Sequence, residues 1–159
     1  MKIIENSKVQ EKIYVEKLEN GLTVMIIPKK GVQKKYVIWG TNYGSNDSKF
    51  VVPGETKETE VPKGVAHFLE HKMFDTESGD ALQQLSRNGA EPNAFTSNAI
   101  TAYYFDCTEN FEENLRTLLS FVSIPYFTEE SVAKEQGIIG QEIRMIEDRP
   151  GWQAYHRLL

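Results

Sequence analysis

A chain of 159 residues is long enough to bury one core of its own, and 40% hydrophobic with 26% charged residues is an ordinary globular composition. A net charge of −5 without a long basic run argues against a nucleic-acid partner. No apolar run reaches membrane-spanning length, and a single cysteine excludes an internal disulfide and suits a reducing compartment.

The charged start MKIIENSKVQEK lacks the apolar centre of a secretory leader, so the expected location is cytoplasmic, with no membrane partner. KIYVEKLENGLTVMII then alternates apolar and polar residues on both sides of Asn20-Gly21. That dipeptide accepts the positive φ angles of a tight turn, which predicts a hairpin with strands at about 12–18 and 22–28. KKYVIWGTNYGS is β-branched and aromatic and predicts a third strand. VVPGETKETEVPKG, with two prolines, two glycines and many charges, predicts a loop.

GVAHFLEHKMF carries Val65, Phe68, Leu69 and Met73 at helical spacing. SGDALQQLSRNG predicts a second helix, capped by Ser78 and stopped by Gly89. AEPNAFTS and ITAYYFDC predict an antiparallel pair. Cys107, at the end of that run with no histidine near it in sequence, reads as a packed residue. ENFEENLRTLLSFV predicts a third helix, and TEESVAKEQGIIGQEIRMIED a longer fourth one that starts near Thr128 and stops before Pro150. The last residues, GWQAYHRLL, read as a helix cut in mid-course, as expected of a fragment of a longer protein. Clustered rather than alternating strands and helices give an α+β class with a mostly antiparallel sheet.

The chemistry concentrates in HFLEH. Positions i, i+3 and i+4 share one helix face, so His67, Glu70 and His71 project together. Two neutral imidazoles on adjacent turns can hold one zinc ion, which makes water acidic near neutral pH, and a carboxylate beside them can take the proton. The alternative is an amphipathic helix with two satisfied histidines and a surface glutamate. The H-x-x-E-H order, in a chain with three histidines, favours the metal. A third ligand is needed from another element. Glu135 and Glu142 stand two helical turns apart on one face of the long helix, beside an apolar stripe of Ile138, Ile139 and Ile146; spacing alone leaves each an ordinary solvated position. Gly137 and Gly140 are costly in a helix interior and suggest close approach of another backbone. NAFTS, with Asn93, Ala94 and Thr96, is either an internal strand or a free edge onto which an extended peptide could add.

GVAHFLEHKMF, NGAEPNAFTS, AYYFDCTENFEENL and AKEQGIIGQEIRM, in this order, resemble the insulinase (pitrilysin) family of zinc peptidases, the inverzincins. The likeness is nearest to bacterial, processing-peptidase-like members and runs from the first hairpin almost to the last residue. It implies His67, His71 and Glu142 as ligands of one Zn2+ and Glu70 as general base. It further implies Glu135 as a supporting acid that does not hold metal, and Asn93, Ala94 and Phe95 as the edge that lines bound peptide. It also implies that residues 1–159 form the N-terminal zinc-binding domain, with a second, related half-domain absent. That half would supply an arginine and a tyrosine for the tetrahedral intermediate, so the chain alone is expected to have little or no activity; one such donor is typically worth about a hundred- to a thousandfold in rate. The expectation is a zinc metalloendopeptidase segment that hydrolyses extended peptides and partners the rest of its own protein or a related subunit. Two rivals are a non-catalytic partner or scaffold of the same fold, disfavoured by the intact motif, and a zinc lyase that shares the short signature, disfavoured by the edge strand and the glutamate helix.

Overall fold

Short alternating strands open the chain. The computed structural model describes residues 1–158 and divides into two compact units, Met1–Gln33 and Lys34–Leu159. In the first unit β1 (Lys2–Asn6), β2 (Glu11–Lys17) and β3 (Thr23–Ile26) form an antiparallel meander in that order. Ile3 stands opposite Tyr14 and Tyr14 opposite Ile26, an apolar row across all three strands. Gly21 takes a φ of 90° at the predicted turn, closed by the Leu18 amide donating to the Leu22 carbonyl and the Gly21 amide donating to the Leu18 carbonyl. Strand β1 was not expected, because KIIEN is too short and too charged to show a period.

The second unit is built on a three-stranded antiparallel sheet in the order β4-β10-β9, from β4 (Lys35–Thr41), β9 (Ala90–Thr96) and β10 (Thr101–Cys107). Strand β10 is central and almost wholly buried, and β9 is an edge. The α+β class with antiparallel pairing holds throughout the described residues. Two short hairpins precede and follow the first helix: β5 (Lys49–Val51) with β6 (Glu58–Glu60), and β7 (Asp75–Thr76) with β8 (Gly79–Asp80). The first corrects the loop expected over residues 51–64; three-residue strands are too brief for alternation to register.

The helices are α1 (Val65–Lys72), α2 (Ala81–Arg87), α3 (Phe111–Ser123), α4 (Glu129–Glu147) and α5 (Pro150–Leu158). The core joins Phe74, Leu85, Tyr103, Phe105, Leu118 and Phe121, with Cys107 buried among them. Gly89, with a φ of 77°, follows the end of α2 as expected. Its N-cap is Asp80 rather than Ser78: the Asp80 carboxylate accepts from the Leu82 and Gln83 amides, while Ser78 is tied into the β7–β8 hairpin through Thr76. The fourth helix has the predicted Thr128 cap, reciprocated by Ser131. Pro150 opens the separate helix α5, a first-turn position that needs no amide donor. Leu159 lies outside the described residues.

Glycines 137 and 140 do not mark a close approach. A Cβ at Gly137 would meet nothing within 4 Å, and one at Gly140 only the Arg144 side chain at 3.9 Å. Ile138 is likewise exposed, although Ile139 and Ile146 are half-buried. The tight contact is at Gly44, where a Cβ would stand 2.5 Å from backbone atoms of Ser97, Asn98 and Ala99. Gly137→Ala is therefore expected to stabilise the chain by about 0.5–1 kcal/mol, and Gly44→Ala to destabilise it by about 1–3 kcal/mol. Thermal unfolding followed by circular dichroism checks both signs.

Candidate metal centre

Helix α1 is unusual in what it hides. Its apolar Val65, Phe68 and Leu69 are only half-buried, whereas Ala66, Glu70 and Lys72 are buried. Burying a charge is costly without a partner, and each of these charges has one. The Glu70 carboxylate accepts a hydrogen bond from the Thr96 hydroxyl on β9, at 2.8 Å to Oε2. Lys72 is held by Asp75 Oδ2 at 2.8 Å and the Tyr126 carbonyl at 2.9 Å.

His67 and His71 face each other one turn apart, their Nε2 atoms 3.2 Å apart. Across them runs α4. Glu142 Oε2 lies 3.6 Å from each Nε2, and Glu135 Oε1 lies 2.9 Å from His71 Nδ1. An ionised carboxylate only accepts, so His71 Nδ1 carries its proton toward Glu135. In the neutral ring this leaves the Nε2 lone pair aimed at His67 and Glu142. The expected residues are thus brought together: His67, His71 and Glu142 offer three ligand atoms within 4.8 Å of one another. Glu70 stands on the same helix, and Glu135 supports His71 from behind.

The donor set fits a metal ion. Glu142 Oε2 is buried and has no hydrogen-bond partner among the described residues, since 3.6 Å is beyond hydrogen-bond range. A buried, unpartnered carboxylate oxygen facing a ring nitrogen is unfavourable unless a cation completes it. Two nitrogens and one oxygen around one point are a zinc-type ligand set. Tetrahedral bonds of about 2.0–2.1 Å place ligand atoms about 3.3 Å apart, close to the spacings found.

Around this centre, β9 is an edge strand, and its Ala94 amide is bonded at 2.8 Å by the side-chain oxygen of Asn93. Phe95 is exposed on the face opposite the core, beside Tyr104. Sequence reasoning gave no role to Thr96 beyond the strand itself, and none to Tyr103. The Tyr103 phenol is pushed well above its usual range, first by burial and then by the nearby Glu70 carboxylate, and it remains protonated at any working pH. The Thr96 bond to Glu70 and the bond the Tyr103 hydroxyl donates to the Leu69 carbonyl at 3.4 Å carry no signal in the sequence, because they join residues 26 and 34 positions apart that only the fold brings together.

Known proteins resemble this chain along most of its length. The profile of the insulinase family, peptidase family M16, matches residues 49–159. Among curated proteins, "Uncharacterized zinc protease YmfH" of Bacillus subtilis (strain 168) is 52% identical over 155 residues, 98% of this chain and 36% of that protein. An "Uncharacterized zinc protease" of Rickettsia bellii (strain RML369-C) is 31% identical over 153 residues, 93% of this chain and 35% of that one. A solved structure, "putative M16-like peptidase from Alicyclobacillus acidocaldarius", superposes with a TM-score of 0.88 at 39% identity, covering 98% of this chain and 36% of that chain. The chain thus spans about a third of the length of the relatives it matches. No described helix is long and apolar enough to cross a membrane. A family profile that takes in α1 and α4 together, with relatives along nearly the whole chain, makes this a member of the insulinase family.

Proposed function

We propose that this chain is the N-terminal, zinc-holding part of an endopeptidase that cleaves extended peptides. The observation that carries the reading is the buried, unpartnered Glu142 Oε2 set 3.6 Å from the two histidine Nε2 atoms. Zinc, when bound, polarises a carbonyl and makes water acidic near neutral pH. His67, His71 and Glu142 would hold one ion, with Glu135 fixing the His71 ring.

Glu70 is the general base. Thr96 engages its Oε2 and fixes the carboxylate plane, which leaves Oε1 to take the proton of the attacking water. The same carboxyl then returns that proton to the leaving amine. Peptide adds along β9, where Asn93, Ala94 and Phe95 lie on the strand edge. The Asn93 side chain now occupies the Ala94 amide, and an incoming backbone carbonyl replaces it there. Main-chain pairing makes recognition tolerant of sequence and demands an extended substrate. The remaining two-thirds of the protein would supply the donors for the tetrahedral intermediate, so this segment by itself has little or no turnover.

The full-length protein is expected to contain one zinc per chain by metal analysis and to cleave an internally quenched peptide, with chelator abolishing the cleavage. A full-length protein with no stoichiometric zinc at neutral pH would instead support a scaffold of the same fold.

A further inference from the structure

Lys72, one residue beyond the second histidine, is among the largest fully buried side chains of the chain's described residues, with none of it exposed. No step of the proposed reaction uses it. Its stem and ammonium pass from the last turn of α1 to the segment that leads into α4. There Nζ donates to the Tyr126 carbonyl at 2.9 Å and lies over the Phe127 and Tyr126 rings, 5.4 and 5.9 Å from their centroids. It also donates to Asp75 Oδ2 at 2.8 Å, at the start of the β7–β8 hairpin. Immediately after Phe127 comes Thr128, the cap that fixes the first turn of α4. The two ends of this strut are 54 residues apart in sequence. One carries the histidines and the other starts the helix that carries Glu135 and Glu142.

We infer that Lys72 is a positioning residue for the metal centre: it sets the distance between α1 and the root of α4, and so holds Glu142 in register with His67 and His71. The inference rests on the proposed metal site. Its physical basis is the geometry of an ammonium with fixed acceptors. A buried charge tolerates neither lengthening nor loss of its partners, because each unmade bond leaves it uncompensated. An apolar side chain of the same length would fill the space and leave the gap between the two elements free to drift. A ligand displaced by a fraction of an ångström loses affinity, and losing a group that orients a ligand typically lowers affinity about ten- to a hundredfold.

The test compares zinc dissociation constants by chelator competition, and the visible spectrum of the cobalt-substituted site, in the full-length protein. Lys72→Met is expected to weaken zinc binding tenfold or more and to shift the cobalt bands, at a temperature where circular dichroism shows it folded. Leu118→Ala, a buried core change on α3, which carries none of the ligand residues, is expected to lower the melting temperature while leaving affinity within twofold and the spectrum unchanged. Where Lys72→Met does not fold, Asp75→Asn, which keeps the ammonium and weakens one acceptor, is expected to cost severalfold in affinity. Wild-type affinity and spectrum in the folded Lys72 variant, or in Asp75→Asn where that stands in for it, overturn the strut. So does an equal affinity loss in Leu118→Ala, which would make the effect general loosening. A parent protein that binds no zinc overturns the metal site itself, an outcome distinct from the others.

Discussion

Glu70→Gln in the full-length protein is expected to keep its zinc and to lose about a hundred- to ten-thousandfold in peptide turnover, the usual worth of a positioned proton acceptor. The substitution is nearly isosteric. An amide oxygen at Oε2 can still accept from the Thr96 hydroxyl, so the helix face and the neighbouring strand keep their contact. Glutamine has no lone pair able to take a proton at neutral pH, so the missing function is proton transfer alone. The histidines and Glu142 are untouched, and metal analysis should return the parent stoichiometry. Because binding along β9 does not involve the Glu70 carboxylate, the loss is expected in kcat with KM within a few-fold. Retained turnover at full zinc occupancy would remove Glu70 from the role of base.

The parts of the centre that sequence makes legible are those governed by local rules. His67, Glu70 and His71 share a face because a helix turns every 3.6 residues, and α1 shows the two rings in contact. The seven-residue interval between Glu135 and Glu142 puts both on the inward side of α4, where one meets His71 Nδ1 and the other approaches both Nε2 atoms. Spacing could not rank those two glutamates; the family resemblance did. What depends on chain segments meeting was not legible. The Thr96 bond to Glu70 and the Lys72 strut join residues 26 and 54 positions apart, and nothing in either local sequence announces a partner. In α1 the hydrophobic period pointed to Phe68 and Leu69 as the inner face, while the deeper positions are polar ones with partners. The helix glycines misled for a related reason: cost in a helix signals that something compensates, and among the described residues nothing lies against Gly137. The cap of α2 went to Asp80 over Ser78 because a two-residue hairpin, invisible to periodicity, uses the intervening positions.

Glu142→Gln is expected to separate metal binding from folding. The Glu142 Oε2 atom is buried without a hydrogen-bond partner among the described residues, so in the absence of zinc a neutral amide is expected to relieve a desolvation cost. The metal-free variant should be at least as stable as the metal-free parent. With zinc the order reverses. A ligand that binds only the folded state adds RT ln(1 + [L]/Kd), about 4.1 kcal/mol at a thousand times Kd. Replacing an anionic ligand by a neutral one should raise Kd by about a hundredfold or more. At the same zinc concentration the increment then falls to about 1.4 kcal/mol. Denaturant unfolding with and without chelator measures both increments. The expected result is a large zinc-dependent gain in the parent, a small one in the variant, and crossed rankings between the two conditions. An undiminished zinc increment in Glu142→Gln would mean that the carboxylate oxygen facing the histidines holds no metal, and the third ligand would have to be sought on another element.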